Sequence, residues 1–211
     1  MAFGISVAAM AVVGVPQASA APVGPLAAAQ FGIWHKDQGD NGQCGFEYGD
    51  PKPHEWKDVG EWTTAMVVDT DSRPGGCELK FGLNNADGSL NGLVLSYWFI
   101  PGNTGQCGGT ASNVPIPYFP FAFQYFFMDP IIVNSDNRVG GCELTLAISG
   151  RNDIALDVLW EFNGDGGQCP GADPRGSNQH RTIDSTQGLS VFFETDDRGG
   201  ACFLSFRLRH K

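Results

Sequence analysis

Positive charge is scarce: 13 Lys and Arg stand against 23 Asp and Glu, and the formal net charge is −10. A surface of that sign repels phosphate backbones and anionic headgroups, which argues against nucleic acid as a partner. Catalytic signatures are equally thin. There are four His (His35, His54, His180, His210), none in a recognisable motif, and no G-x-S-x-G elbow. No CxxC pair or Cys/His cluster offers a zinc site, and no cofactor is implied. Helical periodicity is missing throughout. Beyond the N-terminal segment, no apolar run is long enough to span a bilayer, so no transmembrane segment is expected in the mature chain.

The first twenty residues contain no charged side chain. They pass from an apolar stretch, Phe3 to Val15, into Pro16-Gln17-Ala18-Ser19-Ala20, where small residues at Ala18 and Ala20 fit a signal-peptidase site. Residues 1–20 therefore read as a signal peptide, although the Lys or Arg usual before the apolar stretch is absent. The mature protein, residues 21–211, is expected to be secreted and extracellular.

With 29 Gly and 13 Pro among 42% hydrophobic residues, the composition suits many short strands joined by turns. The cysteines then reveal an internal order. Three follow one pattern: Asp40-Asn41-Gly42-Gln43-Cys44, Asn103-Thr104-Gly105-Gln106-Cys107 and Asp165-Gly166-Gly167-Gln168-Cys169. Three follow another: Asp71-Ser72-Arg73-Pro74-Gly75-Gly76-Cys77, Asp136-Asn137-Arg138-Val139-Gly140-Gly141-Cys142 and Asp196-Asp197-Arg198-Gly199-Gly200-Ala201-Cys202. The two patterns alternate. Six cysteines allow fifteen pairings on paper, and the simplest framework joins neighbours, Cys44–Cys77, Cys107–Cys142 and Cys169–Cys202, at separations of 33, 35 and 33. Each bridge is worth about 3–4 kcal/mol in the chain-entropy account.

A Trp precedes each first cysteine by nine or ten residues: Trp34, Trp98 and Trp160. After each second cysteine, apolar residues alternate: Leu79, Phe81, Leu83; Leu144, Leu146, Ile148; Leu204, Phe206, Leu208. Period two with one apolar face is a half-buried strand. Three copies of about 60 residues follow, over roughly 31–90, 91–150 and 151–211 of a single all-β domain. Within each copy a first strand carries the Trp, a second leads into the Asp-x-Arg turn, and a third starts at the second cysteine. Antiparallel strands closing with pseudo-threefold symmetry, as in a β-trefoil or alternatively a β-prism, are the expected architecture. Three independent mini-domains are the alternative, disfavoured because such a short β unit buries little apolar surface alone.

Each predicted bridge draws together one polar set: Asp40, Gln43, Asp71, Arg73; Asn103, Gln106, Asp136, Arg138; and Asp165, Gln168, Asp196, Arg198. Amide, carboxylate and guanidinium groups beside an aromatic ring are what a sugar site uses. The same residues also suit turns, where Asp caps its own backbone and Arg braces it. Oxygen ligands at Asp69-Thr70-Asp71 and Glu194-Thr195-Asp196-Asp197 invite a Ca²⁺ reading, which the Arg in the same turn opposes, so no metal is assigned. The segments after the first cysteine differ among copies. The second holds Phe119, Phe121, Phe123, Tyr125 and Phe127 in alternation, either a core strand or an exposed patch.

These features favour a secreted, non-catalytic protein that binds carbohydrate or a cell-surface ligand in the manner of a lectin. A protein-binding factor such as a protease inhibitor or defence protein is the alternative, and an extracellular hydrolase the second alternative.

Overall fold

The structure, a computed structural model, describes residues 28–39, 44–46, 54–69, 75–101, 107–109, 114–115, 126–127, 131–134, 141–164, 178–184, 188–194 and 200–211. The expected signal peptide, the twelve polar-loop residues and most of the aromatic run lie outside them. Among the described residues the fold is all-β, with no helix and hence none long and apolar enough to cross a membrane.

The first segment of sequence supplies β1 (Gln30–Gly39), β2 (Cys44–Phe46), β3 (His54–Asp58), β4 (Met66–Asp69) and β5 (Gly75–Asn84). The second supplies β6 (Val94–Pro101), β7 (Cys107–Gly109), β8 (Val114–Pro115), β9 (Phe126–Phe127), β10 (Ile131–Asn134) and β11 (Gly141–Ser149). The third supplies β12 (Ile154–Gly164), β13 (Asn178–Ile183), β14 (Leu189–Glu194) and β15 (Gly200–His210). They form three antiparallel sheets: a first of order β3-β1-β5-β10-β7 with β9 also on β5, a second of order β14-β11-β6-β8, and a third of order β13-β12-β15-β4-β2.

No sheet is built from one segment alone. In each, the Trp-bearing strand pairs with the strand that follows the second cysteine of the same segment: β1 with β5, β6 with β11, β12 with β15. That strand then pairs, on its other edge, with a strand of a different segment. β10 pairs β5, β14 pairs β11, and β4 of the first segment pairs β15 of the third. The strands before and after each Asp-x-Arg turn, which the sequence places in succession, therefore lie in different sheets.

Strand β5 pairs with β9 as well as β10: Phe127 stands opposite Gly82 and Ile131 opposite Leu79. Before β4, Thr63 keeps the third sheet's edge paired without strand geometry. Its N–H donates to the Phe206 carbonyl (2.8 Å) and its Oγ1 accepts from the Phe206 N–H (2.9 Å).

Alternation along the strands following the second cysteines is as expected. In β15, Cys202, Leu204, Phe206 and Leu208 are buried while Phe203, Ser205, Arg207 and Arg209 are partly exposed. The buried faces of the three sheets meet at one aromatic junction. Phe81 of the first sheet lies 5.2 Å from Phe206 of the third and 5.1 Å from Tyr97 of the second, both edge-on. Phe31 closes the group, 5.8 Å from Phe206. Edge-to-face rings at these separations add about 0.5–1.5 kcal/mol per pair beyond area burial.

The Cys44–Cys77 disulfide is present as the spacing predicted, with a Cα separation of 5.2 Å. Cys142 and Cys202 are also disulfide-bonded; the remaining two pairings fall outside the described residues. Because β2 belongs to the third sheet and β5 to the first, the Cys44–Cys77 bridge links two sheets. Asp37 assists by accepting the Cys44 N–H at 2.7 Å.

The segment connectors gather together. Arg151 Nη1 donates to the carbonyls of Ser89 and Asn91, and its Nε and Nη2 grip Asp153. Gly150, at φ 79°, has no room for a Cβ, which would strike the Gly92 carbonyl oxygen.

Phe81→Ala should cost about 3–5 kcal/mol in chemical denaturation, because a cavity there strips contacts from three sheets. Phe203→Ala, on the outer face of β15, should cost less than about 1 kcal/mol. Similar losses at the two positions would deny Phe81 its place at the junction.

Candidate surface site on the sheet outer faces

Residues directly opposite one another across neighbouring strands share a face, so register alone assembles the rows of side chains turned away from the core. In the first sheet, one row reads His54–Trp34–Lys80 and the next Trp56–Gly32–Gly82. Trp34 and Trp56 are both half-buried. The six-membered ring of Trp56 occupies the place where a Cβ on Gly32 would stand, so the absent side chain seats the indole. The Lys80 ammonium lies 4.1 Å from the Trp34 ring centroid and 3.6 Å from Glu78. A cation over a ring face fixes that ring and is worth about 0.5–2 kcal/mol. Two indoles, one ammonium and an exposed imidazole thus share one solvent-facing surface.

In the second sheet the matching row is Trp98–Thr145–Ser190, with the two hydroxyls 3.0 Å apart. Trp98 is half-buried, like Trp34. Trp160 differs. It stands opposite Leu204, on the core side of β12, and is 1% exposed, with no partner for its indole N–H among the described residues. The position matching Trp34 in the third sheet is Leu159, which faces Ser205 and His180. Spacing from the first cysteine had suggested three equivalent tryptophans. Register separates them, because a shift of one residue moves a side chain to the other face.

The third sheet's outer face carries charge where the first carries rings. Asp157 takes the place corresponding to Gly32, with Thr182 and Arg207 as its cross-strand neighbours. Its side chain is fully buried. It accepts from Arg207 Nε (3.0 Å) and Nη2 (2.7 Å), from Arg209 Nε (2.8 Å) and from Thr182 Oγ1 (2.7 Å). His180 Nε2 stands 3.8 Å from the same carboxylate. Burial alone would raise the carboxyl's pKa. The hydrogen bonds from Arg209, Thr182 and Arg207 outweigh it and hold the group down to about 2. Trp62 completes the cluster, its ring 4.6 Å from the Arg207 guanidinium and 5.8 Å from the His180 ring.

No protein family, no curated protein and no solved structure matches this chain. The surface rows are therefore the guide to chemistry.

Several of these side chains had no mark in the sequence. His54 and His180 occupy matching places on β3 and β13, opposite Trp34 and Leu159, but they follow Cys44 and Cys169 at unequal distances. A signal did exist for the charged cluster. Asp157 interrupts the apolar run Ile154 to Trp160, and Arg207 and Arg209 alternate with Phe206 and Leu208. The sequence-derived sets Asp40, Gln43, Asp71 and Arg73 and their counterparts lie outside the described residues.

Asp157 generates an acid dependence. A carboxyl held at about 2 in the folded state, against 3.8 in the ordinary state, stabilises the fold fully above pH 4. That contribution, on the order of 2 kcal/mol, disappears as the pH falls through 2. Asp157→Asn should be less stable than wild type at pH 7 and should flatten the stability curve between pH 4 and pH 2. Asp153, held to about 2 by its Arg151 hydrogen bond, keeps a residual slope in both proteins. Denaturant titrations across that range, superimposable for the two proteins, would remove Asp157 from this role.

Proposed function

We propose that the protein is a secreted, non-catalytic carbohydrate-binding protein, lectin-like in use, whose described contact surface is the outer face of the first sheet. One observation carries the reading: Trp34 and Trp56 lie half-buried on a single face, one seated on Gly32 and the other held by Lys80. Such a surface offers the apolar C–H face of a pyranose a ring to lie on. Lys80 and His54, in one row with Trp34, and Glu78 beside Lys80 supply donors and acceptors for hydroxyls. Export is supported by the apolar leader ending in small residues and by the disulfide chemistry.

The architecture we propose for this binder is a three-sheet, prism-like domain with an internal threefold repeat. The support is topological: in each sheet the same kinds of strand follow in the same order, and each sheet borrows from a different segment. Three separate sheets meeting at Phe81, Tyr97 and Phe206 favour the prism alternative over the trefoil.

The test is a glycan-array screen followed by fluorescence titration of the best neutral saccharide. Trp34→Ala and Trp56→Ala should each weaken binding about tenfold, the loss of roughly 1.4 kcal/mol of ring contact. Trp98→Ala should weaken it less. If no saccharide binds, while deleting residues 45–60, 115–127 or 171–187 abolishes capture of a protein partner, the lectin reading gives way to the protein-binding one.

A further inference from the structure

The described cations are matched with carboxylates unevenly. Lys57 has Glu55, Lys80 has Glu78, Arg151 has Asp153 and Lys211 has Asp184. Arg207 and Arg209 instead share one carboxylate, that of Asp157. Two guanidinium groups against one carboxylate leave an excess positive charge, and they remain 29% and 33% exposed. In a chain of net charge −10, this excess is not a general property of the surface.

The geometry also holds the excess charge in place. Asp157 takes the Nε and Nη2 edges of both arginines, fixing each guanidinium plane. Arg209 Nη1 reaches its neighbour's carbonyl at 3.4 Å, whereas Arg207 Nη1 has no partner among the described residues. Trp62 lies against the Arg207 guanidinium, and the half-exposed His180 stands beside that ring with a ring nitrogen to offer. The other carboxylate placed on this face of β12, Glu161, is four residues along the strand, about 13 Å away at the rise of an extended chain. A preorganised guanidinium edge beside an imidazole and an indole is suited to an oxyanion.

We propose that Arg207, Arg209, His180 and Trp62 form a second binding site, on the outer face of the third sheet, for the carboxylate or sulfate group of an acidic saccharide. Arg207 Nη1 donates to the oxyanion, His180 donates from the flank, and Asp157 is a positioning residue that never meets the ligand. The site is separate from the Trp34–Trp56 surface. It rests on the carbohydrate reading only for the sugar that carries the anion.

The experiment titrates the full mature chain with sodium sulfate, glucuronate, galactose 6-sulfate and galactose, following the indole N–H resonance of Trp62, assigned by its loss in Trp62→Phe. Saturable shifts with glucuronate or galactose 6-sulfate, absent with galactose and weakened by added salt, are expected. Arg207→Gln should weaken them about tenfold, the worth of one charge-assisted hydrogen bond, while Arg209 and Thr182 keep Asp157 partnered and the fold intact. His180→Ala should weaken them less and serves if Arg207→Gln does not fold. No saturable shift with any anion, or an equal response to galactose, overturns the site. Sulfate binding as tightly as galactose 6-sulfate overturns its saccharide part alone. Loss of the shift in Trp34→Ala would show one site rather than two and overturn the proposal.

Discussion

Main-chain pairing between distant parts of the chain is the constraint on which the described structure depends. β15, near the C-terminus, is hydrogen-bonded to β12 on one edge and to β4 of the first segment on the other. Thr63 and Phe206 are 143 residues apart and exchange two hydrogen bonds. A buried strand with an unpaired edge would leave a row of N–H and C=O groups without partners, each costing free energy comparable to a lost hydrogen bond. The third sheet is therefore complete only when the first segment lies against the last. The loop-closure entropy of such a pairing must be met before the contact is gained, which makes folding slow and dependent on the whole chain.

The disulfide and the aromatic junction answer that constraint from two directions. Cys44–Cys77 joins β2 in the third sheet to β5 in the first, so a link local in sequence holds together sheets that exchange strands over long range. Phe81 meets Phe206 and Tyr97, so each sheet buries its inner face only if the other two are present. Main-chain pairing sets the order of strands, and the aromatic core makes the order cooperative. The connectors around Gly92, Gly150 and Arg151 then need only close the chain tightly, by bonds to carbonyls rather than by burial.

How much of this was legible follows from what period two encodes. Leu79, Phe81, Leu144, Leu146, Leu204 and Phe206 announced buried strands, and they are buried. The Cys44–Cys77 pairing followed from the two alternating cysteine environments and their near-equal separations. Partner choice did not follow, because alternation identifies a face and says nothing about which edge lies beside which. The strand after Cys77 could equally have paired with β4, its neighbour in sequence, yet β10 takes that edge. Trp160 shows the same limit at one residue: it precedes Cys169 by nine residues, as Trp98 precedes Cys107, whereas hydrogen-bond register places the two on opposite faces.

Period two also separates what must stay alike from what is free to differ. The inner faces of β5, β11 and β15 hold aliphatic and aromatic residues at matching places, because they fill one core. The outer faces answer to no common packing demand. At corresponding register, Trp56–Gly32–Gly82 on the first sheet becomes Thr182–Asp157–Arg207 on the third, and His54–Trp34–Lys80 becomes His180–Leu159–Ser205. A glycine that seats an indole in one sheet is a buried carboxylate that orients two arginines in another. Neither exchange alters an inner-face residue. Differences in chemistry among the segments therefore need not reside in the segments following the first cysteines. The strands themselves can carry them, on a scaffold whose hydrogen bonds hold each side chain in register.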